Sequence, residues 1–175
     1  MRAGLAAIAV LALCATPVAA QGKTKAGAVP QSVQALEMCE TFARGDVLAV
    51  EAAIEMGWDA YEDGAESPSV KSYSGSKELP GIGHATMFAL VEDYPSNTFG
   101  YCRVDVTEVS GDAGVAVQSI QNLDRYEGQA IQNDEGTFAS LTGKTDKNRM
   151  LLTHLAGGAF VIQLSIITPK AGVDE

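Results

Sequence analysis

The chain predicts an α+β fold: a mainly antiparallel sheet of about six strands with helices on one face, in the order α-α-β-β-β-α-β-β-β. Two observations carry that prediction. Apolar residues recur at three- and four-residue spacing in two stretches, before residue 60 and after residue 112, and at two-residue spacing in the stretches that follow each. Short turns rich in Gly, Pro, Asn and Asp separate the alternating stretches, so successive strands are expected to pair as meanders.

Residues 1–20 stand apart from this pattern. Met1-Arg2, the apolar run Leu5 to Val18 and the small Ala19-Ala20 read as a secretory signal peptide cut after Ala20, with Val18 and Ala20 as the small residues before the cut. The apolar run is about half the length of a membrane span. Leu11-Ala12-Leu13-Cys14 partly resembles a lipobox, but Leu13 stands where a lipoprotein needs Gly, Ala or Ser, so lipidation of Cys14 is not expected. Residues 21–30 read as a flexible segment, 31–170 as a single domain and 171–175 as a C-terminal tail. The expected location is the periplasm or the exterior.

Val33, Leu36, Cys39 and Ala43 share one face of a first helix, and Glu40 and Arg44 are placed four apart to pair on its outer face. Gly45-Asp46 breaks that helix. Asp46 then serves as N-cap of a second, whose apolar stripe is Val47, Val50, Ile54 and Trp58, with Glu51, Glu55 and Asp59 along another side. Strands are expected near 69–77, 83–93 and 98–107, punctuated by Pro80-Gly81-Ile82-Gly83 and Pro95-Ser96-Asn97. A third helix starts near Asp112, with Ala116, Ile120 and Leu123 on one side, and strands near 136–144, 148–156 and 158–168 follow. In the last, Phe160, Ile162, Leu164 and Ile166 form a wholly apolar face, which predicts a central strand.

The two helix-then-strands runs carry short internal likenesses. Gly45-Asp46 and Gly111-Asp112 open the later helices, and Ser74-Gly75-Ser76-Lys77 is similar to Thr142-Gly143-Lys144-Thr145, each expected between strands. A tandem duplication would produce this arrangement.

Three cysteines become two, Cys39 and Cys102, once the leader is removed. In an oxidising compartment a pair usually bonds, and both sulfurs are expected to point into the core, Cys39 from its helix and Cys102 from a strand where it alternates with Val104 and Val106. There is no Cys-x-x-Cys and no neighbouring His or Lys, so the predicted bond is structural rather than redox-active.

A helix bearing Cys39, then Gly45-Asp46, a helix ending Gly57-Trp58, and a strand with Tyr101-Cys102-Arg103-Val104 together resemble groups of small exported bacterial proteins of uncharacterised function. The resemblance covers about residues 33 to 165. It implies the same domain class and disulfide, and no activity or catalytic residue.

The net charge of −10, with no cluster of Lys or Arg able to track a phosphate backbone, disfavours nucleic acid and anionic membranes as partners. His84 and His154 lack a second ligand at metal-binding spacing, and no nucleophile elbow is present, so neither metal nor cofactor is expected. Glu62-Asp63, Glu92-Asp93 and Asp134-Glu135 read as turn residues rather than paired acids, and Gly81 and Gly83 lack the context of a phosphate loop. Two surfaces could meet a partner: the acidic row through Glu51 and Glu55, and a basic tip of Lys144, Lys147 and Arg149. Tyr73, Phe88, Tyr94, Phe99, Tyr101 and Tyr126 are divided between core and contact surface in a way the sequence does not resolve. The expected function is a non-enzymatic binding or inhibitor module acting on an envelope protein or small ligand through one of these surfaces or an open sheet face. The alternative is a small envelope hydrolase built on His84 or His154 with a carboxylate.

Overall fold

The alternation of Cys102, Val104 and Val106 turns those side chains to one side of a strand, and the periodicity of Val33, Leu36 and Cys39 turns theirs to one side of a helix. The two faces meet. A computed structural model describes residues 29–110 and 114–171, and in it Cys39 and Cys102 are joined by a disulfide with their Cα atoms 5.3 Å apart. The leader, its cleavage point, Cys14, Gly111-Asp112 and residues 172–175 lie outside the described residues.

Among the described residues three helices and eight strands occur: α1 (Gln31–Ala43), α2 (Ala49–Glu55), β1 (Asp59–Asp63), β2 (Ser69–Leu79), β3 (Gly83–Asp93), β4 (Asn97–Val106), α3 (Gly114–Gln121), β5 (Tyr126–Asn133), β6 (Gly136–Gly143), β7 (Arg149–Ala156) and β8 (Ala159–Pro169). All eight strands form one antiparallel sheet in the order β1-β2-β3-β4-β8-β7-β6-β5. The class is α+β as expected, but there are eight strands, and the order is α-α-β-β-β-β-α-β-β-β-β. The first half is two helices and the second one helix, each followed by a four-stranded meander, and the halves join where β4 pairs with β8. β1 and β5 therefore hold equivalent places as the two edges. The Ser74–Lys77 segment lies inside β2, and Thr142–Thr145 at the end of β6, rather than between strands.

One face of the sheet is covered. Tyr73 and Leu79 of β2, Met87 of β3, Cys102 and Val104 of β4, Ile162 and Leu164 of β8, Leu151 of β7 and Leu141 of β6 form one core with Leu36, Cys39 and Phe42 of α1 and Val117 and Ile120 of α3. At Gly100 the end of α1 lies directly against the sheet backbone, because a Cβ there would lie 1.7 Å from the carbonyl oxygen of Ala43. Lys71 Nζ donates to the Gly45 carbonyl and Lys77 Nζ to that of Met56, at 2.8 and 2.6 Å. Each ammonium thereby satisfies a carbonyl at the C-terminal end of a helix, where positive charge is favoured.

Three local expectations are corrected. α2 stops at Glu55 and buries Ala49 and Ala53, with Trp58 buried in the chain after it, while Val47 and Ile54 are exposed. A helix of two turns close to the sheet presents its small alanines, and the bulkier residues are left outward. Asp46 does accept from a backbone N–H, that of Leu48 at 3.0 Å, but in the turn before α2 rather than as its N-cap. Glu40, placed on the outer face by sequence, is buried.

Candidate functional site: the open face of the sheet

Among the described residues, no helix lies over the opposite face of the sheet. Cross-strand register sets its side chains in rows, and one row runs Tyr61, Ser74, Phe88, Arg103, Gln163 and Leu152 across β1, β2, β3, β4, β8 and β7. A neighbouring row includes Leu90, Tyr101, Ser165 and Met150, and another Val161, His154, Phe138 and Ile131. Tyr61, Phe88, Ile131, Met150 and Leu152 are among the large apolar side chains most exposed to water. Scattered exposed apolar residues are ordinary, but these stand on one continuous surface.

Arg103 is at the middle of this face. Its Nε lies 2.7 Å from Asp105 Oδ2, its Nη2 2.7 Å from Asp105 Oδ1, and its Nη1 donates to Gln163 Oε1 at 3.3 Å. The carboxylate raises the guanidinium above its ordinary pKa by hydrogen bonding. This forked pairing fixes a planar, charge-neutral group among the open-face side chains. Two open depressions of about 280 and about 270 Å³ lie on the β5 to β8 half of the face, the first floored by Met150, Leu152 and Gln163, the second by Ile131, Phe138 and His154. The His154 ring stacks on Phe138, with centroids 5.7 Å apart.

A second charged assembly lies within the fold. The Glu40 carboxylate, its side chain only 8% exposed, accepts from Tyr126 Oη at 2.6 Å and from Arg125 Nε at 3.1 Å, with Arg149 Nη1 and Arg44 Nη2 each 3.7 Å away. Arg125 also faces Glu37, and Arg149 faces Asp146. Three acids and three guanidiniums balance, and the cluster ties α1 of the first half to β5 and β7 of the second. Its charges are spent on one another, which is the arrangement of a structural ion-pair network.

The residues expected at partner surfaces are placed as follows. Glu51 and Glu55 are exposed on α2. Lys144 is exposed, Lys147 pairs with Glu127, and Arg149 turns inward to Glu40 with 16% of its side chain exposed. The three basic residues thus point to different places. Of the aromatic residues, Tyr73 and Tyr126 are in the core, Phe88, Phe99 and Tyr101 are on the open face, and Tyr94 is in the turn after β3. Asp134-Glu135 forms the turn between β5 and β6, whereas Glu62-Asp63 lies within β1 and Glu92-Asp93 ends β3. His84 lies in β3, and its Nδ1 is 3.8 Å from Glu78 Oε2, with both side chains over 60% exposed. Among the described residues no group of three His, Cys, Asp or Glu could hold a metal ion, and no helix is long and apolar enough to cross a membrane.

Sequence reasoning named neither Tyr61, Met150, Leu152 and Ile131 nor the Arg103–Asp105 pair. A signal was present in β7, where Met150 and Leu152 alternate with Leu151 and Thr153, so that both phases of the strand are apolar. Such a strand either is covered on both faces or exposes an apolar one. A comparison with family models, with curated proteins and with solved structures finds no match to this chain.

Proposed function

We propose that this chain is an exported, non-enzymatic binding module that engages a protein of the cell envelope through the open face of its sheet. The observation that carries this reading is the continuous row from Tyr61 through Phe88 and Arg103 to Leu152, with apolar side chains exposed on both sides of a neutralised guanidinium. Aromatic residues and a pre-oriented Arg are the groups that most often anchor protein interfaces. Eight strands at about 4.8 Å spacing make a face about 34 Å across, a span suited to a protein interface of roughly 800 Å² per partner. Small ligands are more often held in concave sites, and the depressions here are open.

The disulfide and the signal-like N-terminus support the exported setting, since such bonds persist in oxidising compartments. The same setting favours the envelope as the place to look for the partner. His84 and Glu78 lie where water competes for both groups, which weakens any general-base role and favours binding over hydrolysis.

The test is site-directed photo-crosslinking in intact cells, with the photoreactive residue placed at Phe88, at Leu152, or at Ile54 on the helix side as control. The expected result is a discrete adduct of one added mass from both face positions and none from Ile54, lost when Tyr61 is changed to Asp. Adducts of equal strength from all three positions, or none from the face, would overturn the reading.

A further inference from the structure

The two edges of the sheet are guarded very differently. β1 has five residues, and Asp59, Glu62 and Asp63 make it short and strongly acidic, which discourages pairing with another strand. β5, its counterpart in the second half, has eight residues, no Pro and a single charge, Glu127, and that carboxylate is taken up by Lys147. From Glu127 to Asn133 every residue of β5 is exposed, so the helix layer does not extend over it. A long, uncovered edge whose single charge is already paired is the form that proteins usually avoid unless something pairs with it.

Lys144 donates its N–H to the carbonyl of Arg125. Because bonding residues alternate along an antiparallel ladder, the odd-numbered residues of β5 bond to β6, and Gly128, Ala130 and Gln132 turn their N–H and C=O groups outward. These outward groups have room for another strand.

We propose that the free edge of β5 pairs antiparallel with β5 of a second copy of this chain, about a two-fold axis through Ala130, to make one sheet continuous across both molecules. The occupant is a second copy because β5 is complementary to itself in this register. Ala130 meets Ala130, two small exposed side chains that do not clash at the axis. Gln129 meets Ile131, Gly128 meets Gln132 and Glu127 meets Asn133, so no like charges are opposed. The outward groups of Gly128, Ala130 and Gln132 exchange about six hydrogen bonds in this pairing. An axis perpendicular to the sheet keeps both open faces on one side and brings Ile131 of each copy near its equivalent, extending the apolar surface. The pairing is weakened by repulsion between two chains of net charge −10, and it strengthens as salt screens that repulsion. This inference stands independently of the protein bound by the open face.

The experiment is sedimentation velocity on the disulfide-bonded mature chain, at concentrations up to about 300 µM, a range that captures the weak association of a small interface. Wild type is expected to form a dimer, more at moderate than at low salt. Ala130→Lys places two ammonium groups opposite each other and is expected to weaken the dimer at least tenfold, as is Ala130→Glu. An equimolar mixture of the two variants is expected to restore a heterodimer, which a folding defect cannot do. A wild type that stays monomeric, a dimer indifferent to both substitutions, or a mixture that does not recover would each overturn the proposal.

Discussion

At Gly100 α1 lies directly against the sheet backbone, and the carbonyl of Ala43 occupies the space a methyl group would need. Gly100→Ala must push the end of α1 away, next to the point where Cys39 ties the helix to Cys102. The expected cost is about 2–3 kcal/mol by urea unfolding, in the range of overpacked cores; a loss below about 0.5 kcal/mol would show that the helix end yields freely. Glu40 is the other residue on which much depends. Glu40→Ala leaves Arg149 and Arg125 facing each other without their carboxylate and Tyr126 Oη without its acceptor. A loss of about 3 kcal/mol is expected, and Glu40→Gln should cost less because the amide oxygen still accepts from Tyr126. Comparing the two by denaturant unfolding separates charge from hydrogen bonding. Glu40 looked like an outer-face partner for Arg44 because the one positive charge in helical reach was four residues away; the groups that bury it lie 85 and 86 positions further along.

At the scale of elements, the strands that have one covered face were legible. The expected stretches 83–93 and 136–144 agree with β3 and β6 to within a residue, since alternation between core and water is written directly into such segments. β1 and β5 were missed for the same physical reason. β5 is exposed on both faces after Tyr126, so it has no buried phase to alternate with, and three of the five residues of β1 are acidic. The link between α1 and β4 can be measured. Its cysteines are 63 positions apart, and closing a loop of that size stabilises a fold by about 4 kcal/mol in the chain-entropy model. The Cys39→Ala, Cys102→Ala double variant is therefore expected to unfold at markedly lower urea concentration with its slope little reduced. A shift equivalent to less than about 1 kcal/mol would mean that the packing of Leu36 and Phe42 holds α1 nearly as well alone.

For the whole molecule, the most direct condition-dependent prediction is alkaline. Burial first, and then the Glu40 carboxylate, raises the Tyr126 phenol far above its ordinary 10.0, and burial with nearby Glu62 and Asp46 raises that of Tyr73. Above pH 10.0 the unfolded chain releases these protons while the folded chain keeps them, so the native state binds more protons there. The stability they contribute is complete below that pH and is lost as pH rises through their folded values. Ultraviolet titration should show Tyr73 and Tyr126 ionising only with unfolding; their ionisation before any loss of circular dichroism would contradict this. Under the proposed export, cleavage after Ala20 is expected to leave a chain beginning at Gln21, which N-terminal sequencing of the protein expressed from its full-length chain reads directly; an N-terminus at Met1 would contradict export.

The sequence by itself determined the class of fold, the six strands with a covered face and the inward direction of both cysteines, because each of these follows from periodic burial within a short window. Tertiary structure decided the two edge strands, the inward turn of Arg149 to Glu40 and the rows of side chains on the open face. Those depend on which distant segments lie side by side, and on where the helix layer ends, and neither leaves a period in the chain.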